Sequence, residues 1–136
     1  MVAVGTTTVR SIESLVQIAR KILANQVEDV FTVTQWDTYQ GENQNLTKTE
    51  TLEILMDYME RNQLTHIEAQ TSLMIVPGYE IRFFDAIITN FHQPKSTLLL
   101  LVSAFIGQDW KELYKHALDS DYRFLSYGDS SLLFRK

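Results

Sequence analysis

Positions 89–97 of the chain read Thr89-Asn90-Phe91-His92-Gln93-Pro94-Lys95-Ser96-Thr97, and an apolar run from Leu98 to Ile106 follows directly. Amide, imidazole, ammonium and hydroxyl groups therefore stand at the predicted entrance of a buried helix. An N-cap at the start of a helix needs only one polar side chain. The larger number of polar side chains here indicates a binding site. The β-branched and aromatic segment Ile81–Thr89 before it predicts a strand covered on both faces.

The segments before this stretch alternate between helical and strand patterns. In order, we predict a strand at 1–4, a helix from 9 to 24 or 25, a strand at 30–34, a polar loop at 35–46, a helix ending near 63, β structure at 65–76 and a turn at 77–78. The helix that ends near 63 begins with a capping-box pattern, in which the Thr47 hydroxyl accepts from the Glu50 N–H and Glu50 reaches back. Its expected buried face consists of Leu52, Leu55, Met56 and Met59.

Two further helices and a strand are predicted after the polar stretch. The first helix has Pro94 in its first turn and ends at Gly107. Asp109 is expected to cap the second, whose apolar positions are Leu113, Tyr114, Ala117 and Leu118. Leu132-Leu133-Phe134 predicts the last strand. Alternating helices and strands predict a single α/β domain over 1–136, with a mixed sheet flanked by helices.

Composition narrows the class of protein. The chain has 136 residues, is 45% hydrophobic and contains no cysteine, so one sizeable core is expected and thiolate metal sites are excluded. A net charge of −5 disfavours an indiscriminate polyanion binder but allows a local patch of Arg10, Lys95 and Arg123. His66 and His116 lack spaced partner ligands, so no metal site is expected. The apolar run Leu98–Val102 is far shorter than the roughly 20 residues of a membrane span, and no signal peptide is visible. We expect a cytoplasmic protein without membrane association.

Two other short segments are candidate sites. In Val4-Gly5-Thr6-Thr7-Thr8-Val9-Arg10, a glycine turn leads into a helix start that suits a carboxylate or phosphate, although Thr7 or Thr8 could simply be an N-cap. In Ser126-Tyr127-Gly128-Asp129-Ser130, Asp129 could act as a base or bind a ribose hydroxyl, or only form an Asx-turn.

The polar stretch itself also leaves alternatives open. Lys95-Ser96-Thr97 is not the end of a P-loop, because the required glycines are absent. His92 titrates near neutrality and could serve as a general acid or base, but a hydrogen-bonded structural histidine is an equal alternative. Lys95 could equally be a solvated surface charge.

Five segments in a fixed order carry a family resemblance. They are 3–14, Pro77-Gly78-Tyr79, 88–99 with its Asn-Phe-His-x-Pro-Lys-Ser-Thr string, 101–105, and 122–129 with its Ser-Tyr-Gly-Asp string. The series resembles the C-terminal part of the S-adenosylmethionine:tRNA ribosyltransferase-isomerase family of queuosine biosynthesis, and we interpret the match that it marks as covering about two-thirds of the chain.

The resemblance implies a reaction and a set of roles. The family transfers the ribosyl part of S-adenosylmethionine to the 7-aminomethyl-7-deazaguanine base at the tRNA wobble position, giving epoxyqueuosine. S-adenosylmethionine is then a donor substrate, tRNA is a partner, and no tightly bound cofactor is expected. His92 and Asp129 would be candidates for proton transfer. The residues implied in binding substrate are Thr6, Thr7, Arg10, Asn90, Lys95, Ser96, Thr97 and Tyr127.

The chain departs from the family pattern in three ways. Gln93 stands where the family usually has an apolar residue, and residues 35–65 look like a family-variable insertion with its own capped helix. The family enzyme is also much longer, so we expect this chain to be an incomplete C-terminal portion of a larger α/β domain, inactive alone. The alternatives are a non-catalytic module that binds a small ligand or RNA, and a portion that self-associates through exposed core surface.

Overall fold

The computed structural model describes residues 1–40, 45–93 and 96–136. These residues form two compact units, a sheet unit of Met1–Val9 and Met74–Lys136 and a middle unit of Arg10–Leu73. The helices and strands are β1 (Val2–Val4), α1 (Thr6–Leu23), β2 (Thr32–Val33), α2 (Lys48–Arg61), β3 (Gln70–Thr71), β4 (Ala86–Asn90), α3 (Thr97–Ile106), α4 (Trp110–Asp119) and β5 (Ser130–Phe134). In the described ranges, no helix is both long and apolar enough to cross a bilayer.

A three-stranded mixed sheet forms the centre of the sheet unit. Its strand order is β1-β4-β5, with β4 parallel to β1 and antiparallel to β5. Short β-branched and aliphatic runs form these strands, as expected of residues that pack well on a pleated surface. Helix α3 packs against β5 and α4. The predicted α/β class with a mixed sheet and flanking helices is therefore confirmed.

The two faces of this sheet differ in burial. Ala3, Ile87 and Leu133 point to one face and are buried. The opposite face exposes apolar side chains, including Ile88 at 37% of its surface. The prediction of a strand covered on both faces is therefore wrong for β4. A run of apolar residues shows that a strand is apolar on both sides, but it does not show that both sides are covered.

The ends of α3 and α4 follow local backbone chemistry. Gly107 ends α3 with a positive φ of 61°, which confirms the predicted glycine stop. Asp109 precedes α4, but its side chain caps nothing, because its backbone is already helical and its carboxylate pairs with Lys136 at 2.6 Å. The expected cap is therefore wrong. Leu118, expected on the apolar side of α4, is 61% exposed.

Helix α2 in the middle unit begins with the predicted capping box. Thr47 Oγ1 accepts from the Glu50 N–H at 3.2 Å, and the Thr47 N–H donates to Glu50 Oε2 at 2.8 Å. The buried side of the helix differs from the prediction, since Thr51 and Leu55 are buried and Met56 is exposed. Leu52 is also exposed. The Thr51 hydroxyl donates to the Thr47 carbonyl, which satisfies it and allows its burial.

The other predicted elements are found with shifted bounds. Helix α1 begins at Thr6 rather than Val9, and the predicted strands at 30–34 and 65–76 are reduced to β2 and β3, which pair in parallel. The predicted turn is present, because Tyr79 N–H donates to Val76 C=O at 3.0 Å and Gly78 has a φ of 95°. The expectations for Pro94 and for residues 41–44 of the polar loop lie outside the described residues.

Candidate functional site

The candidate site lies at the edge of the sheet that is formed by the carboxyl ends of β1 and β4. These two strands are parallel, so the segments that follow Val4 and Asn90 leave the sheet at this same edge. Gly5 turns the chain after β1 with a φ of 84°, and its N–H donates to Ile88 C=O at 2.9 Å. Ligands in open α/β sheets commonly bind outside the carboxyl ends of strands. Both polar motifs of the sheet unit therefore begin where a ligand is expected.

The first motif opens α1. Thr8 Oγ1 donates to Val4 C=O at 2.7 Å, and Thr7 lies inside the first turn, so neither is the N-cap that was one interpretation of the segment. Gly5, which has no side chain, occupies the position before the helix. The hydroxyls of Thr6 and Thr7 have no hydrogen-bond partner among the described residues, and Thr7 is exposed. These two groups remain available to a ligand.

The second motif is anchored by Phe91. Its ring is buried, with edge-to-face neighbours Tyr114 and Tyr122 and a tilted neighbour Phe124, all with centroids within 5.4–5.7 Å. Its backbone carbonyl accepts from Leu125 N–H at 2.8 Å. A buried aromatic cluster of this kind gives the adjacent polar residues a fixed backbone.

The Asn90 side chain forms a hydrogen bond within the protein rather than extending into solvent. Its Nδ2 donates to Leu125 C=O at 2.9 Å, and in the sheet it lies opposite Ser130 of β5. Leu125 itself has a φ of 71°, a conformation that is uncommon for leucine. Asn90 therefore holds the loop between α4 and β5 in this shape.

His92 is held at two points. Its Nε2 lies 2.9 Å from Thr89 Oγ1, and its backbone N–H donates to the Tyr114 hydroxyl at 3.0 Å. Burial lowers the pKa of His92 below the ordinary value of 6.5, so the imidazole is neutral at pH 7. In the described ranges Nδ1 has no partner. A neutral, oriented imidazole with one free nitrogen is suited to proton transfer.

The start of α3 supplies hydroxyl groups beside a groove. Ser96 is the N-cap, and its Oγ accepts from Leu98 N–H at 3.2 Å. Thr97 follows in the first turn and is exposed. Both residues line a groove of about 470 Å³, whose other walls include Trp110 and Lys111. Lys95, predicted to bind substrate, lies outside the described residues.

Asp129 is tied to Arg123 across a tight turn. Oδ2 accepts from the Arg123 N–H at 2.8 Å, and Oδ1 pairs with the guanidinium at 3.1 Å. Hydrogen bonds from the Arg123 side chain, and then from its backbone, lower the pKa of Asp129. The carboxylate therefore stays ionised and organises the turn, while Tyr127 at its tip is 97% exposed.

The structure brings seven of the predicted residues into the sheet unit at or near this edge: Thr6, Thr7, Asn90, His92, Ser96, Thr97 and Asp129. Tyr127 belongs to the same unit. Arg10 belongs to the middle unit, and its buried Nε has no hydrogen-bond partner among the residues that the structure describes. A role for Arg10, and the basic patch of Arg10, Lys95 and Arg123, therefore remain predictions.

The sequence does not predict the two contacts that fix His92. Thr89 belongs both to the predicted strand and to the polar stretch, but neither pattern predicts its hydrogen bond to a residue three positions later. The helical pattern predicts Tyr114 at an apolar position, although a buried tyrosine hydroxyl needs a hydrogen-bond partner. That requirement indicates that the Tyr114 hydroxyl has a hydrogen-bond partner, and in the structure this partner is the His92 N–H.

The environment of His92 predicts a pH dependence of stability. Because burial disfavours the imidazolium, the folded chain binds this proton less tightly than the unfolded chain. The free energy of unfolding should therefore fall as the pH drops below 6.5, the unfolded value, until the lower folded pKa is reached. We expect the effect to stay below about 1 kcal/mol, because the imidazole is partly solvated. Denaturant unfolding of the parent, His92→Gln and His116→Gln chains at several pH values tests this. Only His92→Gln should lose the dependence.

A protein family and several known proteins are similar to this chain. The sequence model of a family described as queuosine biosynthesis protein matches residues 1–133. The S-adenosylmethionine:tRNA ribosyltransferase-isomerase of Vesicomyosocius okutanii is 49% identical over 86 residues, which cover 62% of this chain and 25% of that protein. The enzymes of the same name from Rhodopseudomonas palustris and Agrobacterium fabrum are 57% and 58% identical over 68 and 67 residues, covering 49% and 48% of this chain.

A solved structure is also similar. The S-adenosylmethionine tRNA ribosyltransferase of Thermotoga maritima is 37% identical, with a TM-score of 0.46, over 61% of this chain and 37% of that one. The aligned part of the chain spans 18–25% of the length of the three curated relatives. The family match, by contrast, extends over nearly the whole chain. The chain therefore belongs to the queuosine biosynthesis protein family.

Proposed function

We propose that this chain forms part of the active site of a tRNA-modifying transferase-isomerase, which moves the ribosyl group of S-adenosylmethionine to a 7-aminomethyl-7-deazaguanine base at the wobble position of tRNA. The observation that carries the proposal is that residues 88–93, 96–99 and 122–129, all within the family match, lie at the carboxyl edge of a sheet and include a neutral, oriented histidine. Relatives named S-adenosylmethionine:tRNA ribosyltransferase-isomerase are 49–58% identical to this chain over the aligned residues. Family membership favours this function over a stand-alone binding module. The site of action would be the cytoplasm.

His92 is the better of the two candidates for proton transfer. Ribosyl transfer from a sulfonium needs a base near the acidic carbon beside sulfur, and a neutral imidazole meets that need at pH 7. Asp129 is a carboxylate whose pKa is lowered by Arg123, which makes it a weaker base. Its place beside the backbone of Phe91, whose N–H donates to Asp129 C=O at 3.3 Å, suits it to hold the His92 segment.

The remaining polar residues of the sheet unit suit binding. The free hydroxyls of Thr6 and Thr7 at the start of α1 and of Thr97 at the start of α3 are donors for a carboxylate or a ribose. Asn90, Ser96 and Tyr127, together with Lys95 and Arg10, complete the proposed substrate-binding set. We further propose that residues 35–65 are a family-variable insertion, and that the chain self-associates through apolar surface.

Calorimetry with S-adenosylmethionine tests the placement of the donor site. We expect the parent chain to bind and the His92→Ala and Thr97→Val variants to bind at least about tenfold more weakly, which is the loss of one good interaction. Thr49→Val is the matched control, because Thr49 is also an exposed threonine in the first turn of a helix. The absence of binding by a folded parent chain would contradict the placement. We expect no epoxyqueuosine from this chain alone, and measurable turnover would contradict that expectation.

A further inference from the structure

The hydroxyl of Thr89 is a buried polar group beside the candidate site. Thr89 lies in β4 on the same face as the buried Ile87, and it is 4% exposed. Its Oγ1 lies 2.9 Å from His92 Nε2. Among the described residues, this hydroxyl has no other hydrogen-bond partner. The contact therefore has to satisfy the hydroxyl by itself.

A hydroxyl and a neutral imidazole can share one hydrogen bond in two ways. If the Thr89 O–H donates to Nε2, the ring hydrogen of His92 is on Nδ1 and the hydroxyl hydrogen is satisfied. If Nε2–H donates to Oγ1 instead, the hydroxyl hydrogen is buried without an acceptor among the described residues. A buried donor without an acceptor is destabilising. A hydrogen on Nδ1 can be solvated, because the His92 side chain is only half-buried. The first arrangement is therefore favoured.

We propose that Thr89 is a positioning residue, which holds the neutral His92 in the tautomer with its hydrogen on Nδ1, so that the imidazole presents a hydrogen-bond donor to a ligand. The backbone of His92 is fixed separately, since its N–H donates to the Tyr114 hydroxyl at 3.0 Å. The ligand group that meets Nδ1 is then a hydrogen-bond acceptor, such as a carboxylate oxygen, a ribose oxygen or a ring nitrogen.

This tautomer defines what His92 does in the proposed reaction, and that consequence rests on the proposed function. Removal of a proton by Nδ1 requires a lone pair on that nitrogen. The ring hydrogen must first move to Nε2, and the Thr89 hydroxyl must turn away from it. Before that change, the imidazole binds and polarises an acceptor atom of the substrate as a neutral donor. Thr89 thus controls whether His92 meets the substrate as a donor or as a base.

NMR of the isotopically labelled chain at about pH 8, above the ordinary histidine pKa of 6.5, tests the tautomer. The chemical shift of each ring nitrogen depends on whether that nitrogen carries a hydrogen, and His92→Gln identifies the signals of His92. We expect the Nδ1–H form to exceed the Nε2–H form at least about tenfold, the ratio that one unsatisfied buried donor produces.

Three threonine variants test the part played by the hydroxyl. Thr89→Val removes it and keeps the shape of the side chain, so the Nε2 signal should move to that of a nitrogen without a hydrogen bond. Thr89→Ser keeps the hydroxyl and should retain the parent signal. Thr51→Val is the matched control, because Thr51 is a buried threonine whose hydroxyl donates to the Thr47 carbonyl in α2. It should leave the signals of His92 unchanged. Circular dichroism establishes that each variant is folded.

The other outcomes overturn the proposal. A parent chain in which His92 carries its hydrogen mainly on Nε2, or equally on both nitrogens, would show that Thr89 does not select the tautomer. An Nε2 signal that is the same in Thr89→Val as in the parent would show that the hydroxyl does not donate to it. The measurement needs no S-adenosylmethionine. A failure of the chain to bind that substrate would therefore count against the proposed function and leave the tautomer unaffected.

Discussion

Phe91→Ala is expected to lower the free energy of unfolding by about 3–5 kcal/mol, the cost of removing a fully buried aromatic ring and leaving a cavity. Phe91 is 2% exposed and contacts three aromatic rings. It therefore joins the end of β4 to α4 and to the loop before β5. Domains of this size are stable by only about 5–15 kcal/mol, so the variant should unfold at a much lower denaturant concentration.

Two variants make this measurement specific. Phe91→Leu keeps most of the volume and should cost less than about 2 kcal/mol. Tyr127→Ala removes an aromatic ring that is 97% exposed and should change the unfolding free energy by less than about 0.5 kcal/mol. All chains are compared at one protein concentration. A loss below about 1 kcal/mol for Phe91→Ala would show that the cluster does not hold the site together.

The sequence was most informative where a local rule decides the structure. The capping box at Thr47 and Glu50, the glycine stop at Gly107 and the order of the elements depend on neighbours within a few residues. The polar stretch was correctly placed at a strand end and a helix start. In each case, hydrogen bonding within one turn is enough to select the conformation.

Burial and contacts that depend on residues far apart in the sequence were not predicted correctly. Periodicity identified α2 but not its buried side, because a threonine hydroxyl satisfied by its own backbone is buried as readily as an aliphatic side chain. Likewise, the apolar pattern of β4 did not reveal that one face stays open. The partners of His92 lie on β4 and α4, and the sequence does not specify which side chains the fold brings together there.

Gly128→Ala is expected to lower the free energy of unfolding by about 2–3 kcal/mol, as overpacking a tight site does. Gly128 does not have a positive φ, so its backbone conformation does not by itself require glycine. A Cβ there would lie 2.7 Å from the carbonyl carbons of Arg123 and Phe124, and closer still to the Arg123 oxygen. These are backbone atoms, so no side-chain rotation relieves the overlap. The Arg123 carbonyl must move, and it accepts the Asp129 N–H at 2.9 Å.

The same displacement should release the Asp129 carboxylate. Its pKa is lowered by hydrogen bonds from Arg123, so opening the turn should raise that pKa toward the ordinary value of 3.8. NMR titration of the carboxyl carbon measures the change. Gly78→Ala is the control, because Gly78 has a positive φ of 95° but open space around its Cβ position. It should cost about 1–2 kcal/mol from backbone strain alone and leave the pKa of Asp129 unchanged. If the pKa of Asp129 in the Gly128→Ala chain equals that in the parent chain, the turn accommodates the added methyl group without opening. The glycine of the Ser-Tyr-Gly-Asp string would then not be required by this close approach of the backbone.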